Sequence, residues 1–107
     1  MSPLPPLFSA LGDPTRLAIV ERLMTEGELD AGTIQAALPI SAPAVSRHLD
    51  VLKRAGLVTR RAEKQRRLYA VRPEALTTIS QWTMSHREFW DTSLRRLELA
   101  IKKDQTP

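Results

Sequence analysis

The densest group of charged residues in the 107-residue chain lies between positions 41 and 72. That stretch holds nine Lys and Arg residues against two Asp and Glu residues, a net +7, while the other residues sum to −3. Arginine and lysine bind phosphate oxygens, and such contacts supply much of the affinity of proteins for nucleic acid. The charge therefore predicts an anion-binding surface, with a merely solvated basic face as the alternative.

A second pattern lies at the start of the basic stretch, where apolar and polar residues recur at helical spacing. Val45, Leu49 and Leu52 follow one another at steps of four and three, so they share the core-facing side of a helix. Ser46 and Arg47 then lie on the opposite side. Short polar groups near the N-terminus of such a helix can contact base edges in the major groove of double-stranded DNA. Ser46 and Arg47 are therefore the first candidates for base contacts.

The basic residues that follow this helix are candidates for contacts with backbone phosphates or with the minor groove. Arg60 and Arg61 alternate sides of a predicted strand, so only one of them can face DNA. Arg66 is the preferred contact, because it lies at the predicted tip of a hairpin. His48 lies at the edge of the packed helix face, where a hydrogen-bonded border residue is favoured over a base contact. The predicted DNA-binding residues are Ser41, Ala42, Pro43, Ser46, Arg47, His48, Lys53, Arg60, Lys64, Arg66 and Arg67.

A helix-turn-helix followed by a β-hairpin must position these side chains. Asp30 can cap a helix over 31–38, and Ser41 can cap a second helix that ends at Gly56. Over residues 57–62 and 67–71 the residue pattern changes from helical spacing to that of strands. With a charged turn at 63–66 between them, these two runs predict a pair of strands. These patterns assign residues 30–55 to a helix-turn-helix and residues 57–71 to a wing.

Further helices are predicted on both sides of this segment. Residues 1–6 contain three prolines and predict an extended arm, followed by helices over 7–11 and 14–25, the second of which Asp13 can cap. Apolar residues at steps of three and four predict one long amphipathic helix over 73–103. The predicted fold is a single domain over 1–107, mainly α with a small β-hairpin, in the order α-α-α-α-β-β-α.

Two runs of residues resemble the ArsR/SmtB family of bacterial winged helix-turn-helix repressors. They are residues 7–17, LFSALGDPTRL, and residues 41–58, SAPAVSRHLDVLKRAGLV, and the resemblance extends over about 7–103. It implies a homodimer, built by the first and last helices, that represses transcription by binding a dyad operator in double-stranded DNA. Its two recognition helices would lie about one DNA turn apart.

The apolar stripe of the last predicted helix is the expected dimer interface. A chain of this size cannot readily bury two tryptophans on a long terminal helix, so packing across a dimer is favoured. The predicted interface residues are Leu7, Phe8, Ile79, Trp82, His86, Phe89, Trp90, Leu94 and Leu97.

The sequence departs from the metal-sensing members of the family it resembles. Those members carry Glu-Leu-Cys-x-Cys where this chain has Glu28-Leu29-Asp30-Ala31-Gly32, and the chain has no cysteine at all. Other members bind zinc through Asp and His residues of the last helix, where this chain offers His86 near Glu88 and Asp91. A zinc site needs at least two ligands on one helix face and further partners, whereas His86 lies alone in an apolar stripe. We therefore expect a metal-independent protein without a cofactor.

Several other classes of protein are disfavoured. No Gly-x-Ser-x-Gly nucleophile motif and no glycine-rich phosphate loop is present, so no enzyme activity is expected. No run of about 18 apolar residues exists and the N-terminus lacks a basic-then-apolar signal, so we expect a cytoplasmic protein without membrane contact. The alternatives left open are a sensor of a metal or of an unidentified small-molecule inducer, and a winged-helix module that binds protein but not DNA.

Overall fold

The computed structural model describes residues 2–105, which form six helices and one three-stranded antiparallel sheet. The helices are α1 (Leu4–Leu11), α2 (Pro14–Glu26), α3 (Ala31–Ala36), α4 (Ala42–Ala55), α5 (Pro73–Ser85) and α6 (Arg87–Asp104). The strands are β1 (Leu29–Asp30), β2 (Val58–Glu63) and β3 (Arg66–Val71). The prediction of a mainly helical fold with a small β-hairpin is confirmed.

The chain divides into two compact units, with the boundary between Leu76 and Thr77. In the first unit, apolar side chains from α1, α2, α3, α4 and the sheet form a buried core. Its largest fully buried side chains are Val20, Ile34, Val45, Leu49, Leu52, Leu57 and Val58. Full burial of such a side chain contributes about 1.5–3 kcal/mol, so this core stabilises the position of α4. In the second unit, by contrast, none of the residues described from 77 to 105 is buried.

Three helix starts follow the capping residues predicted from the sequence. The side chains of Asp13, Asp30 and Ser41 accept hydrogen bonds from backbone N–H groups of the first turns of α2, α3 and α4. Helix α4 ends at Gly56, whose φ of 86° lies in the left-handed region that glycine adopts without a Cβ clash. Ser41 at its start and Gly56 at its end fix the length of α4 and therefore the extent of its polar face.

The extended arm predicted for residues 1–6 is wrong where the structure describes it, because α1 begins at Leu4 instead of residue 7. Met1 lies outside the described residues. Pro5 and Pro6 are compatible with the first turn of a helix, since the N–H groups they lack have no partner within the helix at that point. The two prolines are therefore compatible with the start of α1 and do not require an extended chain.

The single helix predicted over 73–103 is also wrong, because His86 separates α5 from α6. In a continuous helix the His86 N–H would bond to the Trp82 carbonyl. That carbonyl instead lies 2.8 Å from both the Ser85 Oγ and the His86 Nδ1, and the His86 N–H bonds to the Thr83 oxygen at 3.2 Å. Side-chain competition for one carbonyl therefore accompanies the break.

Smaller differences concern α3 and the sheet. Helix α3 ends at Ala36, two residues before the predicted end at residue 38, ahead of Pro39. The hairpin turn is two residues long, Lys64 and Gln65, and not four. The two-residue strand β1 was not predicted at all; it pairs with β3, which is the central strand of the sheet.

Strand register assigns the hairpin side chains to two faces of the sheet. Arg60 is paired with Tyr69, and Arg61 with Leu68. Directly paired residues of an antiparallel sheet point to the same side, and neighbours along a strand point to opposite sides. Arg60 and Arg67 therefore share one face with Tyr69, whereas Arg61 and Arg66 share the other face with Leu68.

Candidate nucleic-acid interface

Helix α4 presents the polar face that its sequence predicts. Val45, Leu49 and Leu52 are buried, while Ser46 and Arg47 are exposed on the opposite side. The Ser41 Oγ accepts a hydrogen bond from the Ala44 N–H at 3.3 Å and so fixes the start of the helix. The predicted candidates at the helix start, Ser41, Ala42 and Pro43, are likewise exposed.

A basic pocket of about 210 Å³ lies between the polar face of α4 and the hairpin. Helix α4 contributes Ser46, Arg47, Asp50 and Lys53, and the hairpin contributes Arg60 and Tyr69. The Asp50 carboxylate lies 3.0 Å from Arg54 Nε, which compensates its charge. Within residues 2–105, none of the three basic side chains of the pocket forms an ion pair. The pocket therefore presents three uncompensated positive charges beside the short polar side chain of Ser46.

Arg67 extends this basic surface towards the start of α4. Together with Ala42 and Ser46 it lines a neighbouring cleft of about 150 Å³ between α3, α4 and β3. Lys64 is exposed at the hairpin tip, with a φ of 57° in the tight turn. The structure thus brings Ser46, Arg47, Lys53, Arg60 and Arg67 to one side of the first unit. Tyr69, which lies between them in the sheet, was not among the predicted site residues, although its alternation with Arg67 could have indicated it.

The other two hairpin arginines contact carboxylates on the opposite face. Arg61 Nε and Nη2 lie 2.8 and 2.6 Å from the two oxygens of Glu28, and this contact holds the pKa of Glu28 below its ordinary value. Arg66 Nε lies 3.1 Å from Asp30 Oδ2. Hydrogen bonds from Thr33, followed by the contact with Arg66, hold the pKa of Asp30 low. Arg66 therefore differs from the other predicted wing contacts, because its charge is compensated within the chain.

His48 is held by contacts with the first part of the chain. Its Nδ1 lies 3.3 Å from Arg16 Nη1 and 3.9 Å from Asp13 Oδ2. Arg16 also donates a hydrogen bond from Nε to the Ala10 carbonyl at 2.7 Å. His48 is half-buried, as expected for a border residue that fixes α4 against the preceding helices. These contacts favour the structural alternative over a base contact for His48.

The predicted dimer-interface residues fall into two groups. In α1, Leu7 is 3% exposed and belongs to the core of its own unit, whereas the neighbouring Phe8 is 42% exposed. In α5 and α6, Ile79 is half-buried and the other predicted apolar residues are exposed: Trp82, Phe89, Trp90, Leu94 and Leu97. His86 lies at the break between the helices, with its ring 5.0 Å from that of Trp82. Met84, Leu99 and Ile101 are exposed apolar residues that the predicted set omits.

The part of the chain that the structure describes contains no group of three or more His, Cys, Asp or Glu side chains that could hold a metal ion. Near His86, the Asp91 carboxylate lies 3.5 Å from Arg87 Nε. No helix within residues 2–105 has the length and apolar character needed to cross a bilayer.

Comparison with known proteins places this geometry among transcriptional regulators. A family model described as a helix-turn-helix domain matches residues 11–61. The chain is 49% identical over 72 residues to the HTH-type transcriptional regulator Rv2034 of Mycobacterium tuberculosis, covering 67% of this chain and 66% of that protein. It is 31% identical over 88 residues to the transcriptional repressor SdpR of Bacillus subtilis, covering 82% of this chain and 97% of that protein.

A solved structure supports the same comparison at the level of the fold. The chain superimposes on the crystal structure of an ArsR family transcriptional regulator with a TM-score of 0.75 and 25% identity. The match covers 85% of this chain and 97% of that one. The mainly helical architecture with a small antiparallel hairpin is therefore that of a winged helix-turn-helix.

Proposed function

Because the chain belongs to the ArsR family of winged helix-turn-helix transcriptional regulators, we propose that it is a homodimeric repressor of the cytoplasm. It binds a dyad operator in double-stranded DNA and does so without a metal ion. The observation that carries the proposal is the basic pocket, in which Arg47, Lys53 and Arg60 lie uncompensated beside Ser46.

In this proposal α4 is the recognition helix and enters the major groove. Ser46 and Arg47 lie near its capped N-terminus, where a recognition helix contacts base edges. An arginine that forms two hydrogen bonds with guanine contributes about 1–3 kcal/mol of discrimination against the wrong base. Lys53, Arg60, Lys64 and Arg67 contact phosphates on either side and set the orientation of the helix, without contributing directly to sequence choice.

The homodimer is supported by the apolar residues of α6. Phe89, Trp90, Leu94 and Leu97 are exposed along this helix at steps of one, four and three residues. Large exposed apolar surfaces mark protein interfaces, and a second copy of the chain carries the same stripe, as a two-fold dimer requires. A two-fold dimer would place two recognition helices about 34–36 Å apart, one turn of DNA.

Metal independence is supported by the contacts of two carboxylates. Glu28 and Asp30 lie where the resemblance would place the start of a metal-sensing motif. Their oxygens already contact Arg61, Arg66 and the Thr33 N–H. A metal ion bound there would have to displace these partners. Any inducer would instead act by favouring a dimer geometry that misaligns the two recognition helices.

The test is a titration of fluorescently labelled DNA from upstream of the coding gene, read by anisotropy at several salt concentrations. The proposal predicts an affinity that falls steeply with salt, because phosphate contacts release counterions. Arg47→Ala should lower discrimination between this DNA and a scrambled duplex by about 1–3 kcal/mol for each half-site of the operator. Arg95→Ala, a matched charge removal on α6, should not change that discrimination.

Two results would contradict the proposal. If wild-type protein shows no salt-sensitive affinity for the DNA duplexes tested, DNA binding is wrong and the alternative of a protein-binding winged-helix module is favoured. If zinc binds tightly and stoichiometrically in calorimetry and this binding is lost in His86→Ala, the metal-sensing alternative replaces metal independence.

A further inference from the structure

The four arginines of the hairpin belong to two sets that differ in location and in partners. Arg60 and Arg67 lie on the sheet face that borders α4, and neither forms an ion pair within the described residues. Arg61 and Arg66 lie on the other face and contact Glu28 and Asp30. Sequence alone favours Arg66 as the wing contact with DNA, but its position and partner point to a different role.

The two carboxylates come from a single short segment. Glu28 immediately precedes β1 and Asp30 ends it, and β1 pairs with β3 through Leu29 and Asp30. Two residues apart on an extended chain, the two carboxylates lie on the same face. Glu28 engages Arg61 on β2 and Asp30 engages Arg66 on β3, so each strand of the hairpin is attached by one ion pair.

Asp30 also connects the hairpin to the helix-turn-helix. Its Oδ1 accepts a hydrogen bond from the Thr33 N–H at 2.8 Å, at the start of α3, while its Oδ2 lies 3.1 Å from Arg66 Nε. One side chain thus caps α3 and holds the hairpin. Any rotation of the hairpin away from α3 has to break this contact.

We propose that Glu28 and Asp30 fix the orientation of the hairpin relative to the helix-turn-helix, and that Arg61 and Arg66 are positioning residues that do not contact DNA. The inference rests on the proposed function, since the orientation of the hairpin matters because it presents Arg60, Lys64 and Arg67 to DNA. The carboxylate pair, residues 28 and 30, is called the wing clamp below.

Electrostatics support the assignment. A phosphate bound by Arg66 would compete with Asp30 for the guanidinium and would lie close to the negative charge of that carboxylate. Arg67 has no such partner to lose. Glu28 and Asp30 are ionised at neutral pH, and their hydrogen bonds with Arg61 and with Thr33 lower the pKa values of the two carboxyl groups further. Between Leu68 and the turn the hairpin has no pairing with β1 and is a two-stranded ribbon, which is marginally stable by itself. The contacts of Arg61 and Arg66 therefore limit how far its tip moves.

Two adjacent arginines allow a matched test. Arg66→Gln and Arg67→Gln remove the same charge from consecutive positions of β3 on opposite faces. The affinity for upstream DNA is measured against salt concentration. Because each protomer of the proposed homodimer contributes one Arg67, Arg67→Gln should reduce the slope of log affinity against log salt by about 1.8, or about 0.9 for each lost phosphate contact. Arg66→Gln should change the slope by less than half as much. A reduction as large as that of Arg67→Gln overturns the proposal.

A second measurement needs no DNA. Asp30→Asn keeps an oxygen that can cap α3 but removes the charge that holds Arg66. In the free protein, the ¹⁵N heteronuclear NOE of residues 62–67 should fall in Asp30→Asn and in Arg66→Gln. The double variant should show no further decrease, and Arg67→Gln should match the wild type.

These two measurements separate the inference from the function on which it rests. If wild-type protein fails to bind DNA, the proposed function fails, while hairpin NOE values that fall in Asp30→Asn still support the wing clamp. If the NOE values stay at wild-type level in both Asp30→Asn and Arg66→Gln, the carboxylates do not position the hairpin and the inference is overturned, whatever the DNA affinity.

Discussion

Of the two units of the chain, only the first buries apolar side chains within the described residues. In this unit, Leu49 and Leu52 of α4 are almost fully buried, while the polar face of the same helix is exposed. In the second unit, Leu94 and Leu97 of α6 are about 60% exposed, and no described residue is buried. The first unit carries its own core, whereas the apolar surface of the second can be buried only against something else. The two parts of the sequence thus differ in whether they bury their apolar side chains within the chain.

The chain carries separate spectroscopic reporters for the two units. Tyr69, its single tyrosine, is buried in the first unit, while both tryptophans, Trp82 and Trp90, lie in the second. The ring NMR resonances of Tyr69 therefore follow the core of the first unit, and tryptophan fluorescence follows the second unit. A change in either unit can therefore be followed by its own signal.

The largest effect on stability is expected from a cavity in the core of the first unit. Leu52→Ala should lower the free energy of unfolding by about 2–5 kcal/mol, because the fully buried side chain is removed and its neighbours relax only partly. The matched variant Leu99→Ala makes the same change at a site on α6 that is 60% exposed and outside the proposed dimer stripe, and it should cost much less. Urea unfolding followed through Tyr69 at a fixed protein concentration measures both. Equal losses in the two variants would contradict the division of roles.

The next largest effect is expected on the association between copies of the chain. Leu94→Glu places a charge in the stripe and should shift the protein towards monomer, because a buried charge without a partner opposes association. Thr92→Glu adds the same charge to α6 outside the stripe and should leave the assembly unchanged. Sedimentation velocity at micromolar concentration compares the variants. If Leu94→Glu sediments like Thr92→Glu, the stripe is not the surface through which copies associate.

The helix starts of the first unit were predictable from single residues. The contacts that hold its hairpin were not, because they join residues that are distant in sequence. Asp13, Asp30 and Ser41 were recognisable as caps because capping needs only a short polar side chain at a helix start. The contact of Arg61 with Glu28 spans 33 positions and follows from strand pairing that the sequence alone does not reveal. The burial of Leu7 was likewise not predicted, since the same spacing fits a core residue or an interface residue.

Acid should affect the first unit before the second. Asp13, Glu28 and Asp30 all have lowered pKa values, and all three lie in the first unit. The hydrogen bond from the Arg16 N–H is the main cause for Asp13. A lowered folded-state pKa contributes stability above the ordinary pKa and loses it as pH falls through the folded value. The ordinary values are 3.8 for the aspartates and 4.5 for Glu28, so the loss should begin below about pH 4.5.

Thermal melting through Tyr69 between pH 7 and pH 3 measures this loss. Asp13→Asn keeps a capping oxygen without the charge, so its melting temperature should depend less on pH than that of the wild type. Glu88→Gln, a matched change in the second unit, should keep the wild-type dependence. If the melting temperature of Glu88→Gln instead depends less on pH than that of the wild type, the acid-sensitive group lies in the second unit and the prediction is wrong.

The smallest effect is expected at the break between α5 and α6. The Ser85 Oγ lies 2.8 Å from the Trp82 carbonyl, which the His86 N–H would otherwise use. Ser85→Ala removes this competitor and introduces the residue with the highest helix propensity, so helical content around residue 86 should rise slightly. Backbone chemical shifts of residues 83–88 report the change, and Ser80→Ala, at an exposed position within α5, is the control for propensity alone. If the two variants shift these resonances equally, Ser85 does not maintain the break, and the ring of His86, also 2.8 Å from that carbonyl, is sufficient to interrupt the helix.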